Sequence, residues 1–197
     1  MNVLVVLAHP NPASFNHAIA GTMADAARRA GHEATLRDLY AERFDPLLTL
    51  AELERDAVLP PAIEAGCREA ENADVIAIVH PNWWSAPPAI LRGWTDRCLR
   101  AGRAYRFEPD GKGGGRPVGL VKARAAVVVN TANTPQAVED CVYGDPLEVH
   151  WTKVVFGLCG LGGKVVRRNF TPVIASTPGQ RAAWLDEAAE LMQAALG

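Results

Sequence analysis

Three short stretches of this chain gather residue types that hold charged or planar ligands. The first, Ala8-His9-Pro10-Asn11-Pro12-Ala13-Ser14-Phe15-Asn16, leads from an apolar run into a stretch with helical spacing. A helix starting there leaves its first backbone N–H groups unpaired and turns the positive end of its dipole outward, which suits a phosphate. Ser14 and Asn16 add side-chain donors. The same residues also fit a plainer role, in which the prolines turn the chain and Ser14 caps the helix. The second stretch, His80-Pro81-Asn82-Trp83-Trp84-Ser85-Ala86-Pro87-Pro88, sets two adjacent tryptophans in a proline-rich turn. A planar ring could stack on them, or they could pack on their own loop. The third, Asn130-Thr131-Ala132-Asn133-Thr134-Pro135, clusters groups able to bond the polar edge of a heterocycle, although such clusters also make ordinary turns.

Other chemistries lack their residues. The five histidines show no HxH or HExxH spacing, so no metal site is expected. The four cysteines, Cys67, Cys98, Cys141 and Cys159, show no CxxC spacing and read as reduced thiols. No serine sits in a GxSxG elbow, and neither a Walker A nor a GxGxxG follows the first apolar run. Asp110 to Arg116 is rich in glycine but lacks the strand and the Ser/Thr of a P-loop, so it reads as a surface hairpin. A net charge of -2 and a pI near 6.2 give no broad positive field for nucleic acid or an anionic membrane, which leaves a small molecule as the expected partner. No apolar run approaches the roughly 20 residues of a bilayer span, and the N-terminus reads as a strand and not a leader. A cytoplasmic location is the expectation.

The elements that must position these stretches follow from periodicity. Five short apolar runs, Val3 to Ala8, Ala34 to Leu39, Val75 to Val79, Ala125 to Val129 and Lys164 to Phe170, read as strands, several of them apolar throughout as in a sheet covered on both faces. Between them the spacing predicts helices from Ser14 to near Gly31, from Pro61 to Glu71, after Pro88, from Leu147 to Leu158, and from Thr177-Pro178 onward. Strand and helix alternate five times, so the expected fold is α/β: one domain over residues 1–197 with a doubly wound, five-stranded parallel sheet in the flavodoxin-like order 2-1-3-4-5. Ligands in such sheets bind beyond the carboxyl ends of the strands at the switch point, which is where all three stretches fall. Tyr40 to Leu59 and Gly102 to Lys122 show no clear periodicity.

With those loops in hand, the chain resembles the NAD(P)H:quinone oxidoreductases of the flavodoxin-like superfamily, the DT-diaphorase-like group. The matching words are AHPNPASFN after the first strand and HPNWWSAPPAILRGWTDRCLRAGRAYRF after the third. The resemblance implies a bound flavin, FAD more than FMN on the SFN-type loop, with NADH or NADPH as hydride donor and a quinone-type acceptor. It makes His9, Phe15 and Asn16 contacts to the flavin phosphates, beside Ser14. It lays Pro81, Asn82, Trp83, Trp84 and Ser85 along the isoalloxazine, and sets Asn130, Thr131, Ala132 and Asn133 at the ring's polar edge. It implies a homodimer in which Tyr105 and Phe107 cover the partner's acceptor pocket. The chain departs from the pattern in two places. Asn-Thr-Ala-Asn stands where members commonly carry Thr-Thr-Gly-Gly, and the family's Tyr/His proton pair falls on Ala137 and Tyr143, leaving Tyr143 and Tyr105 as candidate catalytic groups. The reading from another class is a flavodoxin-like electron carrier, or a redox-sensing ancillary subunit of a transporter.

Overall fold

Each of the five apolar runs forms a strand of a single parallel sheet. The computed structural model describes residues 1–54 and 56–197. Along the chain come β1 (Asn2–Leu7), α1 (Phe15–Arg29), β2 (Glu33–Asp38), α2 (Pro61–Asn72), β3 (Val75–Pro81), α3 (Ala89–Cys98), β4 (Tyr105–Pro109), β5 (Gly115–Gly119) and β6 (Ala125–Thr131). Three short turns, α4 (Gln136–Val138), α5 (Pro146–Glu148) and α6 (Phe156–Leu158), precede β7 (Val165–Phe170) and α7 (Pro178–Leu196). The sheet order is β2-β1-β3-β6-β7 with every pairing parallel, which is 2-1-3-4-5 once the separate β4–β5 hairpin is set aside. The order reverses between β1 and β3, so the carboxyl ends of β1, β3 and β6 open onto one crevice.

Alternation along the strands divides the core. Val3, Val5 and Leu7 of β1, with Val75, Ala77 and Val79 of β3, face α1 and α7 and pack on Ile19, Met23, Trp184 and Met192. Leu4, Val6, Ile76, Ile78 and Val128 face the other way, onto Cys67, Leu91, Trp94, Trp151 and Phe156. Each large side chain so buried contributes roughly 1.5–3 kcal/mol, which is why the ligand loops can stay polar without costing the fold. The helix starts are capped as their residues imply: Ser14 Oγ accepts from the His17 N–H, and Thr177 Oγ1 from the Gln180 N–H.

The expected single helix over 147–158 is instead α5, a π-helical stretch over Val149–Val155, and α6. The widened turns carry Trp151, which is fully buried, to a hydrogen bond from its Nε1 to His80 Nε2 at 3.0 Å. Another π-helical stretch, Glu139–Tyr143, follows α4 where no helix is expected. Both unperiodic segments find tertiary partners. Gly102 to Lys122 holds the β4–β5 hairpin, whose turn includes Asp110 to Gly114. Leu50–Leu53 forms a 3-10 turn held by a buried pair: Arg97 Nε and Nη2 donate to Glu52 Oε1 and Oε2 at 2.9 and 3.1 Å. The same segment crosses α3 so closely that a Cβ at Gly93 would meet the Pro46 carbonyl at 2.3 Å, so only glycine fits there. Among the described residues no helix is long and apolar enough to cross a membrane.

Candidate functional site

The three loops meet in a cavity of about 320 Å³, lined by His9, Ser14, Phe15, Asn16, Pro81, Asn82, Trp83, Thr131, Ala132, Asn133, Thr134 and Val173. This is not the largest cavity. One of about 640 Å³ lies against α3 and the β4–β5 hairpin, lined by Arg92, Arg100, Tyr105, Phe107 and Leu158 among others. Ligand chemistry favours the smaller one, because loops after three parallel strands and the start of α1 converge on it.

On the first wall, Ser14 caps α1 and leaves the N–H groups of Phe15 and Asn16 without partners inside the helix. The Asn11 N–H donates to His9 Nδ1 at 3.1 Å, and burial pushes the His9 imidazole below the ordinary histidine value, so it sits neutral with Nδ1 accepting. Asn16, 3 % exposed, sends its Nδ2 to Thr131 Oγ1 at 2.9 Å and so ties α1 to the end of β6. Phe15 packs toward Phe170 and Trp184, with ring centroids 6.4 and 5.9 Å away.

The second wall is a tight turn made from the wrong residues. Trp83 and Ala86 exchange two backbone hydrogen bonds of 3.1 Å, while Trp84 and Ser85 between them take φ of 57 and 52°. Positive φ at both centres is the type I′ geometry, which ordinarily calls for Asn or Gly. Each non-glycine residue there costs of order 1–3 kcal/mol, and such strain is tolerated where surrounding contacts enforce it. Here Glu139 supplies them: its buried carboxylate accepts from Asn82 Nδ2 at 3.0 Å and lies 3.5 Å from Ser85 Oγ. The Asn82 N–H donates to the Thr131 carbonyl at 2.7 Å, yet Asn82 Oδ1 is buried with no hydrogen-bond partner among the described residues. A buried acceptor left unpaired is costly unless a ligand donor meets it. Trp84 is fully exposed, Trp83 is 41 % exposed, and the Trp83 ring lies 6.2 Å from His9.

The third wall, at the end of β6, divides by strand parity. Thr131 turns toward α1, whereas Asn130 turns to the opposite face and is fully buried. Its Nδ2 donates to Asn169 Oδ1 at 2.6 Å and its Oδ1 accepts from Arg167 Nε at 2.9 Å, so the Asn130 amide is turned away from the cavity. Beside it on β3, His80 is wholly buried and pushed down to about 3 by that burial. Asn133 spends its Oδ1 on the Ile174 N–H.

Of the residues named from sequence, His9, Ser14, Phe15, Asn16, Pro81, Asn82, Trp83, Thr131, Ala132 and Asn133 line this cavity. Trp84 and Ser85 form the turn's tip, and Asn130 belongs to the network behind β6. Tyr105 lines the larger cavity, and Tyr143 is 53 % exposed on the π-helical stretch. Glu139 was not legible in sequence, because an acidic residue in a stretch without periodicity carries no signal. A flavin suits the donor set: free N–H groups at α1 for a phosphate, an orphaned acceptor at Asn82 for a ring N–H, and an indole edge at Trp83.

A family model described as flavodoxin-like fold matches residues 1–194. An uncharacterized NAD(P)H oxidoreductase of Haemophilus influenzae is 38 % identical over 125 residues, 62 % of this chain and 59 % of that protein. NAD(P)H dehydrogenase [quinone] 1 of Cavia porcellus is 30 % identical over 53 % of this chain and 45 % of its own length. The chain thus spans about half the length of the first curated relatives that it matches. Among solved structures, an NAD(P)H:quinone oxidoreductase of Methanothermobacter marburgensis superposes with a TM-score of 0.78 at 27 % identity, over 98 % of this chain and 95 % of that one.

Proposed function

Since the chain belongs to the flavodoxin-like fold family, we propose that it binds a flavin at the β1, β3 and β6 loop ends and works as an NAD(P)H:quinone oxidoreductase. The observation that carries this reading is the convergence of an unpaired helix start, a strained tryptophan turn and an orphaned Asn82 Oδ1 on one cavity. Bound there, a flavin would supply two-electron hydride chemistry between a nicotinamide donor and a quinone-type acceptor. The chain's own residues bind and orient. The first N–H groups of α1, with Ser14 beside them, hold the phosphate, Asn82 Oδ1 accepts from the ring, and Trp83 and Trp84 flank the stacking face. Relatives named as oxidoreductases and quinone dehydrogenases support an enzyme over the carrier or ancillary-subunit reading.

FAD is the flavin proposed, with FMN the alternative, and the setting cytoplasmic. The active unit proposed is a homodimer. Tyr105 and Phe107 lie outside this chain's own flavin cavity and pack edge-on at 5.8 Å, and Phe107 and Leu53, both lining the larger cavity, are 59 and 64 % exposed. A second copy would cover that apolar surface and bring Tyr105 and Phe107 over its partner's acceptor pocket, where Tyr143 is the remaining proton-handling candidate. The test is the absorption spectrum of the purified protein, chromatography of the released flavin, and steady-state kinetics with NADH or NADPH and a benzoquinone. A yellow dimer with parallel double-reciprocal lines is expected. Failure of both FAD and FMN to bind at micromolar concentration would refute the reading.

A further inference from the structure

Behind the β1–α1 loop stands a hydrogen-bonded series of three side chains. The imidazole of His17, in the first turn of α1, has Ser14 Oγ 2.8 Å from Nδ1 and Asp38 Oδ2 2.9 Å from Nε2. The His17 and Asp38 side chains are only 18 and 22 % exposed, so water does not readily replace either contact. The partners dictate the protons. A carboxylate only accepts, so Nε2 carries hydrogen. In the neutral imidazole Nδ1 is then bare and takes the Ser14 hydroxyl hydrogen. Ser14 Oγ also accepts from the His17 backbone N–H, so it shows the cavity a lone pair, which repels an anion. A second proton on His17 reverses the direction. Nδ1–H then donates to Oγ, and the hydroxyl hydrogen turns free.

We infer that the Asp38–His17–Ser14 series couples the phosphate end of the flavin to uptake of one proton at His17, with Ser14 donating to that phosphate only when His17 is charged. The inference rests on the flavin reading above and adds His17 and Asp38 to it as positioning residues. The imidazolium also places a positive charge beside the helix start, where an anion is already favoured. The groups facing His17 are consistent with a single charge. From the β1–α1 loop, His9 stands edge-on at 6.3 Å, and its burial outweighs the Asn11 backbone contact and holds it below the ordinary histidine value. From β2, Asp38 is fixed by its other oxygen, Oδ1, which accepts from the Tyr40 and Ala41 N–H groups at 3.1 Å each.

Fluorescence titrations with FAD, FMN and riboflavin across about pH 5.5 to 8.5 test this, paired with calorimetry in buffers of different ionisation enthalpy to count protons. The Kd of FAD should rise toward tenfold per pH unit on the alkaline side, with one proton taken up, while riboflavin, which has no phosphate, binds with no pH dependence. The second ionisation of FMN near about pH 6 acts with the opposite sign and separates it from FAD. His17→Gln should abolish proton uptake and weaken FAD without changing riboflavin. Asp38→Asn gives the sharper result. Tyr40 and Ala41 hold the amide oxygen, so the amide NH2 faces Nε2, Nδ1 keeps the hydrogen in the neutral ring, and the Ser14 hydroxyl is free without a second proton. FAD should then bind Asp38→Asn about tenfold or more tighter than wild type at about pH 8, with no proton uptake. A purely structural Asp38 would give weaker binding at every pH, which would overturn the inference. So would proton uptake that persists in His17→Gln, or none in the wild type while FAD binds. Absence of binding by all three flavins would remove the functional reading and this inference with it.

Discussion

Replacing Asn16 by alanine separates a ligand contact from a structural tie. Asn16 is 3 % exposed and Thr131 is 7 % exposed, and the amide and hydroxyl bond each other across the α1–β6 boundary at 2.9 Å. A residue that only met a phosphate could be truncated with little effect on the empty protein. Truncating Asn16 instead strips a buried hydroxyl of its partner, which costs about 2 kcal/mol. For a chain of this size each kcal/mol moves Tm by roughly 2–4 °C, so N16A should melt about 4–8 °C lower in the flavin-free protein. T131V should cost a similar amount, because it orphans the amide from the other side. The double variant N16A/T131V leaves no orphan, so its loss should fall short of the sum by about 1–2 kcal/mol. Urea denaturation followed by circular dichroism on the four flavin-free proteins gives the cycle. Additivity within about 0.5 kcal/mol would refute the tie and return Asn16 to a role in ligand contact alone.

The Arg97–Glu52 pair, both partners nearly fully buried, should lose about 3–5 kcal/mol when either is truncated, and recover most of that in R97M/E52L, as read by guanidinium unfolding. Burial works to raise the Glu52 carboxyl, but hydrogen bonds from Arg97 and Thr49 outweigh it and hold it low. Its contribution is therefore complete above about pH 4.3 and lost as pH falls through the folded value, and E52Q should lack that acid-side loss. His80, held to about 3 by burial, stays neutral in the fold while the unfolded chain protonates near about 6.5. Stability should fall by about 2 kcal/mol between pH 7 and 5, lost progressively down to the folded value, and urea curves of H80Q should show that much less pH dependence. Trp84→Gly removes a fully exposed side chain from a left-handed position, so thermal melting should show Tm held or raised, while flavin affinity by fluorescence drops several-fold. A lowered Tm would show that the tryptophan packs for stability.

What was legible in the sequence was everything that local periodicity and chain order govern. Unbroken apolar runs such as Val3 to Leu7 and Val75 to Val79 can be stable only as strands covered on both faces, and their alternation with helices leaves few topologies. That topology sends the AHPNPASFN, HPNWWSAPP and NTANTP loops to one edge, so most of the cavity lining follows without coordinates. The rest depended on which way neighbouring elements point. Asn130 and Thr131 are adjacent and chemically alike, yet one-residue parity sends Thr131 to α1 and Asn130 into the Asn169–Arg167 network. Glu139 clamps the tryptophan turn from 54 residues beyond Ser85, and Asp38 reaches His17 across 21. Trp151 meets His80 because Val149–Val155 winds as a π-helix, a choice the 147–158 spacing does not reveal. Hydrogen bonds of this kind are formed by pairs of side chains with no pattern of their own, and their energy exists only once the packed sheet and helices have excluded water around them.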